Sequence, residues 1–208
     1  MEKFDAKYID AELGKIGARV AKPVSIYLIG GCAMSFRRLK ESTKDVDIVF
    51  GSREDYNIFN SALFGAQYFE PVKITDEYTH LEAMKMFENK DGFHLDLFVE
   101  RVCGKMKLTK TIIGRSELYK SYGKMKVYLV SKEDIFLFKS LASEGRKRDL
   151  DDMRVIYPNL DWEAMEKELV EQKFGAVLNS HIAARLEEFR EKYDLDVPLL
   201  SVLKRMEK

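Results

Sequence analysis

Two aspartates at the start of a short apolar run, Asp45–Phe50, most constrain what this chain can fold into. Alternating polar and apolar residues predict a β-strand, in which every second side chain shares a face. Asp45 and Asp47 would then point to one side, while Val46 and Ile48 point into a core. Neighbouring carboxylates repel unless a cation neutralises them, and magnesium prefers oxygen ligands. The pair is therefore either a cation site or a solvent-facing acidic strand end.

A second feature precedes the aspartates. The apolar, β-branched residues 24–29 predict a buried strand, and Gly30 and Gly31 end it before a predicted helix at 32–40. Paired glycines allow a tight turn and close approach to a ligand. The amides at the start of the following helix favour a phosphate. The alternative is an ordinary turn between a strand and a helix.

A third carboxylate interrupts the apolar strand predicted at 93–99. Burying Asp96 between Leu95 and Leu97 is unfavourable unless it is paired or bound to a metal ion. His94 lies on the same predicted face, so Asp96 is either a metal ligand or the ion-pair partner of His94.

Composition excludes several classes of function. The 35 basic and 35 acidic residues cancel, and the sequence pI near 6.9 argues against a dedicated nucleic-acid coat. Cys32, Cys103 and three scattered histidines lack the spacing of a zinc site. The first twenty residues show no apolar signal region, and no apolar stretch reaches the length of a membrane span. We therefore expect a cytoplasmic protein without a membrane partner.

The pattern along the chain predicts an α+β fold, with a small mixed β-sheet flanked by helices and a helical C-terminal part. Helical spacing opens the chain at 3–20, and turn signals predict further strands at 81–87 and within 119–130. From Ser131, which with Asp134 resembles a capping box, the pattern is helical. We expect a domain at 1–157, with its sheet core at about 24–130, and a helical extension at 158–208.

In order, these motifs resemble the nucleotidyltransferase superfamily, which has the polymerase-β-like minimal nucleotidyltransferase fold. Gly30-Gly31, thirteen further residues, Asp45-Val46-Asp47 and a later Asp96 match its signature. The segments 29–34 and 43–47 are similar to poorly characterised prokaryotic domains of this type, some of them toxin–antitoxin components. Many members have a serine where this chain has Gly31, and the serine hydroxyl meets the nucleotide phosphates.

The resemblance implies transfer of a nucleoside monophosphate from a nucleoside triphosphate, such as ATP, to an acceptor hydroxyl. Asp45 and Asp47 would hold two Mg²⁺ (or Mn²⁺) ions, and Asp96 would complete the shell of the second ion and favour deprotonation of the hydroxyl. Gly30 and Gly31 would contact the nucleotide.

Two basic residues on the later helices are further candidates for nucleotide binding. Lys139 and Arg146 are seven residues apart, so a continuous helix would put them on one face toward the triphosphate. The alternative is a solvated charged face.

Three points stay open at this stage. The acceptor is a protein, an RNA or a small molecule, and the C-terminal helices would shape the acceptor site or make a homodimer contact. A different class of function, a non-catalytic nucleotide-binding or toxin–antitoxin interaction protein on the same fold, is the alternative to the enzyme.

Overall fold

A six-stranded mixed sheet forms the core of the first part of the protein. The structure, a computed structural model, describes residues 3–71, 85–141 and 147–206. The strands are β1 (Phe4–Asp5), β2 (Val24–Leu28), β3 (Ser42–Thr43), β4 (Asp45–Phe50), β5 (Lys85–Glu88), β6 (His94–Val99), β7 (Arg101–Val102), β8 (Met106–Lys107), β9 (Glu117–Tyr122) and β10 (Met125–Leu129). The helices are α1 (Ala6–Gly17), α2 (Gly30–Phe36), α3 (Arg53–Gly65), α4 (Lys110–Arg115), α5 (Lys132–Ser140), α6 (Lys147–Ile156), α7 (Trp162–Gln172), α8 (Ala176–Tyr193) and α9 (Leu199–Met206).

The strand order in the large sheet is β5-β6-β4-β2-β10-β9. The pairs β4–β6 and β2–β10 are parallel, and the other neighbours are antiparallel. The expected α+β class with a small mixed sheet is therefore confirmed. Among the described residues, no helix has both the length and the apolar character that crossing a bilayer requires.

The middle of this sheet is buried on both faces. Val46 and Ile48 of β4 are fully buried, as the alternation predicts, but Val49 and Phe50 are fully buried too. Helix α3 packs against β2, β4 and β6, and the ring of its Phe59 lies 5.2 Å from that of Phe50. A strand covered on both faces loses the polar alternation that an exposed face would give it.

The chain divides into two units, Met1–Val130 and Ser131–Lys208. This division differs from the boundary expected at residue 157. Within the second unit, the Phe136 ring of α5 lies 5.8 Å from Trp162 and 5.5 Å from Phe189. Helix α5 thus shares its core with the C-terminal helices, a long-range contact that the pattern along the chain does not reveal.

Most predicted elements are present, with shifted ends. The Ser131 hydroxyl accepts a hydrogen bond from the Asp134 amide at 3.2 Å, which confirms the predicted cap of α5. The helix predicted at 32–40 instead spans Gly30–Phe36, and α4 and the short β1–β3 pair were not predicted. Part of the strand predicted at 81–87 lies outside the described residues.

Candidate active site

Asp45 and Asp47 lie on one face of β4. Both are half-buried, whereas Val46 between them is fully buried on the opposite face. The sequence Asp-Val-Asp therefore divides as expected between a core face and a face that carries carboxylates.

Asp96 lies beside Asp47. The two residues are partners in the register of the parallel strands β4 and β6, and Asp45 is in register with His94. Residues in register on adjacent strands project to the same side of a sheet. The side chain of Asp96 is 0% exposed. The structure thus brings Asp45, Asp47 and Asp96 to one face of two central strands.

Gly30 adjoins the Asp47 carboxylate. Its φ of +60° is in the left-handed region, and a Cβ at this position would lie 2.6 Å from Oδ2 of Asp47. Any other residue would combine backbone strain with a collision against that oxygen. Glycine is therefore needed here to leave room in front of the carboxylate.

Gly31 is bordered by two polar side chains. A Cβ on Gly31 would lie 2.6 Å from Oγ1 of Thr43 and 3.6 Å from Nζ of Lys40. The Thr43 hydroxyl also donates a long hydrogen bond of 3.5 Å to Oδ1 of Asp45. The Thr43 hydroxyl therefore lies between Gly31 and Asp45.

Sequence reasoning did not identify Lys40 as a site residue. It lies in the turn between α2 and β3, where no periodicity marks which face a side chain takes. Its distance in sequence from Gly31 is also uninformative, because only the fold of the turn brings its ammonium back to the glycine. The one available signal was its position shortly before the Asp-Val-Asp motif.

Cys32 follows the two glycines and is fully buried. Burial raises the pKa of its thiol well above the ordinary value, and the negative charges of Asp47 and Asp45 raise it further. The thiol therefore stays protonated at neutral pH and is not a nucleophile.

His94 contacts a carboxylate of the neighbouring strand. Its Nε2 lies 3.5 Å from Oε2 of Glu88, its partner in register on β5. The sequence leaves open whether His94 is the ion-pair partner of Asp96. In the structure His94 contacts Glu88 and is in register with Asp45.

The donor chemistry of this face suits a hard cation. Three carboxylates supply the oxygen ligands that Mg²⁺ and Mn²⁺ favour, and the missing Cβ of Gly30 lets the Asp47 carboxylate lie against the backbone. In the conformation described, however, no three His, Cys, Asp or Glu side chains among residues 3–71, 85–141 and 147–206 are gathered as a metal-binding group. The backbone thus aligns the three aspartates, and their side chains would still have to rotate toward a common ion.

Lys139 lies in the second unit and is held by two carboxylates. Its Nζ donates hydrogen bonds of 2.8 Å to Oδ1 of Asp149 and 2.8 Å to Oδ2 of Asp152. Burial lowers the pKa of the ammonium, but the two aspartates outweigh burial and raise it. Its contact with a nucleotide stays a prediction, and Arg146 lies outside the described residues.

No protein-family model and no curated protein matches this chain. Several solved structures are similar to it, and three of them follow. The lincosamide antibiotic adenylyltransferase LnuA, with lincomycin bound, is 14% identical with a TM-score of 0.46, over 74% of this chain and 96% of LnuA. JHP933 from Helicobacter pylori is 16% identical with a TM-score of 0.40, over 97% of this chain and 84% of its own.

The third, a protein from H. pylori provisionally described as a nucleotidyltransferase, is 16% identical with a TM-score of 0.39, over 97% of this chain and 86% of its own. Nucleotidyltransferases are thus among the proteins that this chain is similar to. At such low identities and TM-scores, the chemistry of the site has to be judged from its own residues.

Proposed function

We propose that this protein transfers a nucleoside monophosphate from a nucleoside triphosphate to an acceptor hydroxyl, with divalent cations held by Asp45, Asp47 and Asp96. The observation that carries the proposal is the register of β4 and β6, which aligns Asp47 with the fully buried Asp96. Carboxylates concentrated on one face of a buried sheet repel one another, and a bound cation removes that repulsion.

The site first has to bind the triphosphate. Asp45 and Asp47 are half-buried and would carry the cation that accompanies the phosphates. Gly30 and Gly31 present no side chain, so a phosphate can approach the backbone next to Asp47. The Thr43 hydroxyl orients Asp45 through its hydrogen bond and lies beside Gly31.

Bound Mg²⁺ or Mn²⁺, in one or two positions, supplies Lewis-acid polarisation of the phosphate oxygens and a lower pKa for the acceptor hydroxyl. The carboxylate of Asp96 acts as general base and accepts the hydroxyl proton. The resulting alkoxide attacks the α-phosphorus. The bond from the α-phosphorus to the oxygen that bridges it to the β-phosphate then breaks, and pyrophosphate leaves.

The test uses the position of a radioactive label. Purified protein is incubated with each of the four nucleoside triphosphates, labelled on the α- or the γ-phosphate, with Mg²⁺ or Mn²⁺ and with protein, RNA or small-molecule fractions of a lysate. We expect the α-label, and not the γ-label, to enter one of the fractions.

The variant Asp47→Asn should be inactive. Asp196→Asn is the matched control, because this variant removes the same charge from an exposed position in the second unit. Transfer of the γ-label would indicate a kinase instead. Binding of a nucleotide without transfer of either label, with all four triphosphates and both metals, would contradict the enzyme.

A further inference from the structure

Lys40 places a positive charge next to the glycine pair. Its Nζ lies 3.6 Å from the position of a Cβ on Gly31, and Oδ2 of Asp47 lies 2.6 Å from the corresponding position on Gly30. Consecutive Cα atoms are about 3.8 Å apart, so the ammonium and the carboxylate border the same two-residue stretch of backbone. A ligand that reaches Asp47 across Gly30 therefore comes within reach of Lys40 across Gly31.

Lys40 lies at the edge of a cavity. Its side chain is half-buried and lines this cavity, whose volume is about 450 Å³. The other residues of the cavity wall come from the start of the chain and from the end of α2 and the following turn: Asp5, Ala6, Lys7, Ser35, Arg38, Leu39 and Glu41. The short pairing of β1 with β3 joins Asp5, which also lines this cavity, to Ser42.

Negative charge at the site favours a positively charged side chain such as that of Lys40. Asp45 and Asp47 contribute negative charge at this face, and a triphosphate brings several more negative charges. A lysine ammonium forms charge-assisted hydrogen bonds with phosphate oxygens, and such bonds are about twice as strong as neutral ones.

We propose that Lys40 binds the phosphate chain of the nucleoside triphosphate at the Gly31 end of the glycine pair. This inference rests on the function proposed above, and it adds a phosphate-binding residue that the sequence motifs did not indicate. It also gives a position to the phosphates: they extend from Asp47 across Gly30 and Gly31 toward Lys40.

Calorimetry with magnesium tripolyphosphate and with the four nucleoside triphosphates tests the proposal. Lys40→Met should weaken binding of both kinds of ligand by about tenfold or more, since a charge-assisted hydrogen bond is lost. Lys40→Arg should retain most of the affinity. Lys126→Met removes an exposed lysine of β10, two strands from β4, and should bind as the wild type does.

A second measurement uses the wild-type protein and does not depend on the folding of a variant. Acetylation of lysines with a limiting reagent is read by mass spectrometry, with and without magnesium tripolyphosphate. We expect the ligand to reduce acetylation of Lys40 and to leave that of Lys126 unchanged.

The outcomes separate the two proposals. Two results overturn the role of Lys40 and leave the proposed function standing. One is equal affinity of Lys40→Met and the wild type; the other is a protein that binds tripolyphosphate without protection of Lys40 from acetylation. A wild-type protein that binds neither tripolyphosphate nor any nucleoside triphosphate, with either metal, overturns both.

Discussion

Asp47 of β4 and Asp96 of β6 are directly paired in the register of two parallel strands, and only Asp96 is fully buried. The difference in burial suggests different tasks for two identical side chains. Asp47 is half-buried, and its carboxylate lies against Gly30, where the proposed metal-bound phosphate would bind. Asp96 lies beside it on the adjacent strand, and in the proposed mechanism it acts on the acceptor hydroxyl and not on the phosphates.

Asp96→Asn should therefore abolish transfer and leave nucleotide binding largely intact. An interaction that matters chiefly in the transition state lowers kcat without much change in ground-state affinity. We expect a loss of roughly 10²-fold or more in transfer rate, as for removal of a group that assists proton transfer. Nucleotide affinity is measured by calorimetry, and transfer by the α-label. Asp47→Asn should instead lose both, and equal loss of binding in the two variants would contradict the division of tasks.

Divalent cations together with a nucleotide should raise the Tm of the wild-type protein. A ligand that binds only the native state at 100 times its Kd contributes about 2.7 kcal/mol to the free energy of unfolding. Without metal, Asp47→Asn should be more stable than the wild type, because repulsion between Asp45 and Asp47 is removed. Thermal unfolding with and without Mg²⁺ or Mn²⁺ measures both effects. A wild-type Tm that no cation changes, even with a nucleotide, would count against the site.

Gly30→Ala should disrupt the site beyond its effect on stability. A Cβ would lie 2.6 Å from Oδ2 of Asp47, at a φ of +60°. Gly92→Ala is the matched control, because its φ is +72° and nothing lies within 4 Å of the added Cβ. Both variants should lose about 1–2 kcal/mol of stability from backbone strain. Only Gly30→Ala should also lose metal–nucleotide affinity in calorimetry; equal binding by the two would mean that the space at Asp47 is not used.

The stability of the first unit should depend on pH through Asp10. Its carboxylate accepts hydrogen bonds from Tyr122, from Lys120 at 2.9 Å and from Tyr119 at 3.1 Å. Partial burial raises the pKa of Asp10, but these three donors outweigh burial and hold it below the ordinary value of 3.8. The contribution of Asp10 is therefore complete above the unfolded-state pKa and is lost as the pH falls through the lower folded-state pKa.

Urea unfolding of the wild type and of Asp10→Asn measures this contribution. The gap in unfolding free energy between the two should be constant from pH 7 to pH 5 and should narrow below about pH 4. Asp196→Asn, at an exposed position, serves as the control for a general effect of charge. A gap that does not change with pH would contradict the assignment.

Lys139→Met should destabilise the second unit by about 3–5 kcal/mol, the usual effect of removing one partner of a buried ion pair. Asp149 and Asp152 would both lose the ammonium that donates hydrogen bonds to them. Because only 9% of the Lys139 side chain is exposed, water replaces that donor poorly. The triple variant with Asp149→Asn and Asp152→Asn should recover part of the loss. Chemical denaturation measures the free energy of unfolding of the wild type, of Lys139→Met and of the triple variant, with exposed Lys204→Met as the control. Unchanged stability of Lys139→Met would contradict a stabilising role for this pair of ion pairs.

The sequence alone determined the local structure of the site. Alternation in Asp45–Phe50 gave a strand with both aspartates on one face, and the apolar run before Gly30 gave the strand that leads into α2. These features are local, because a side-chain period of two and a glycine break depend only on neighbouring residues. The prediction of Asp96 as a strand residue has the same origin.

Only the tertiary structure decided which residues meet. A shift of one residue between β4 and β6 would have turned Asp96 to the opposite face from Asp47. The pairing of these two strands is not a local property of either one. The fold of one turn likewise returns Lys40 to Gly31, and helix packing directs Lys139 to Asp149 and Asp152. These contacts join residues that are distant along the chain or lie in irregular turns, where long-range pairing and packing decide the neighbours.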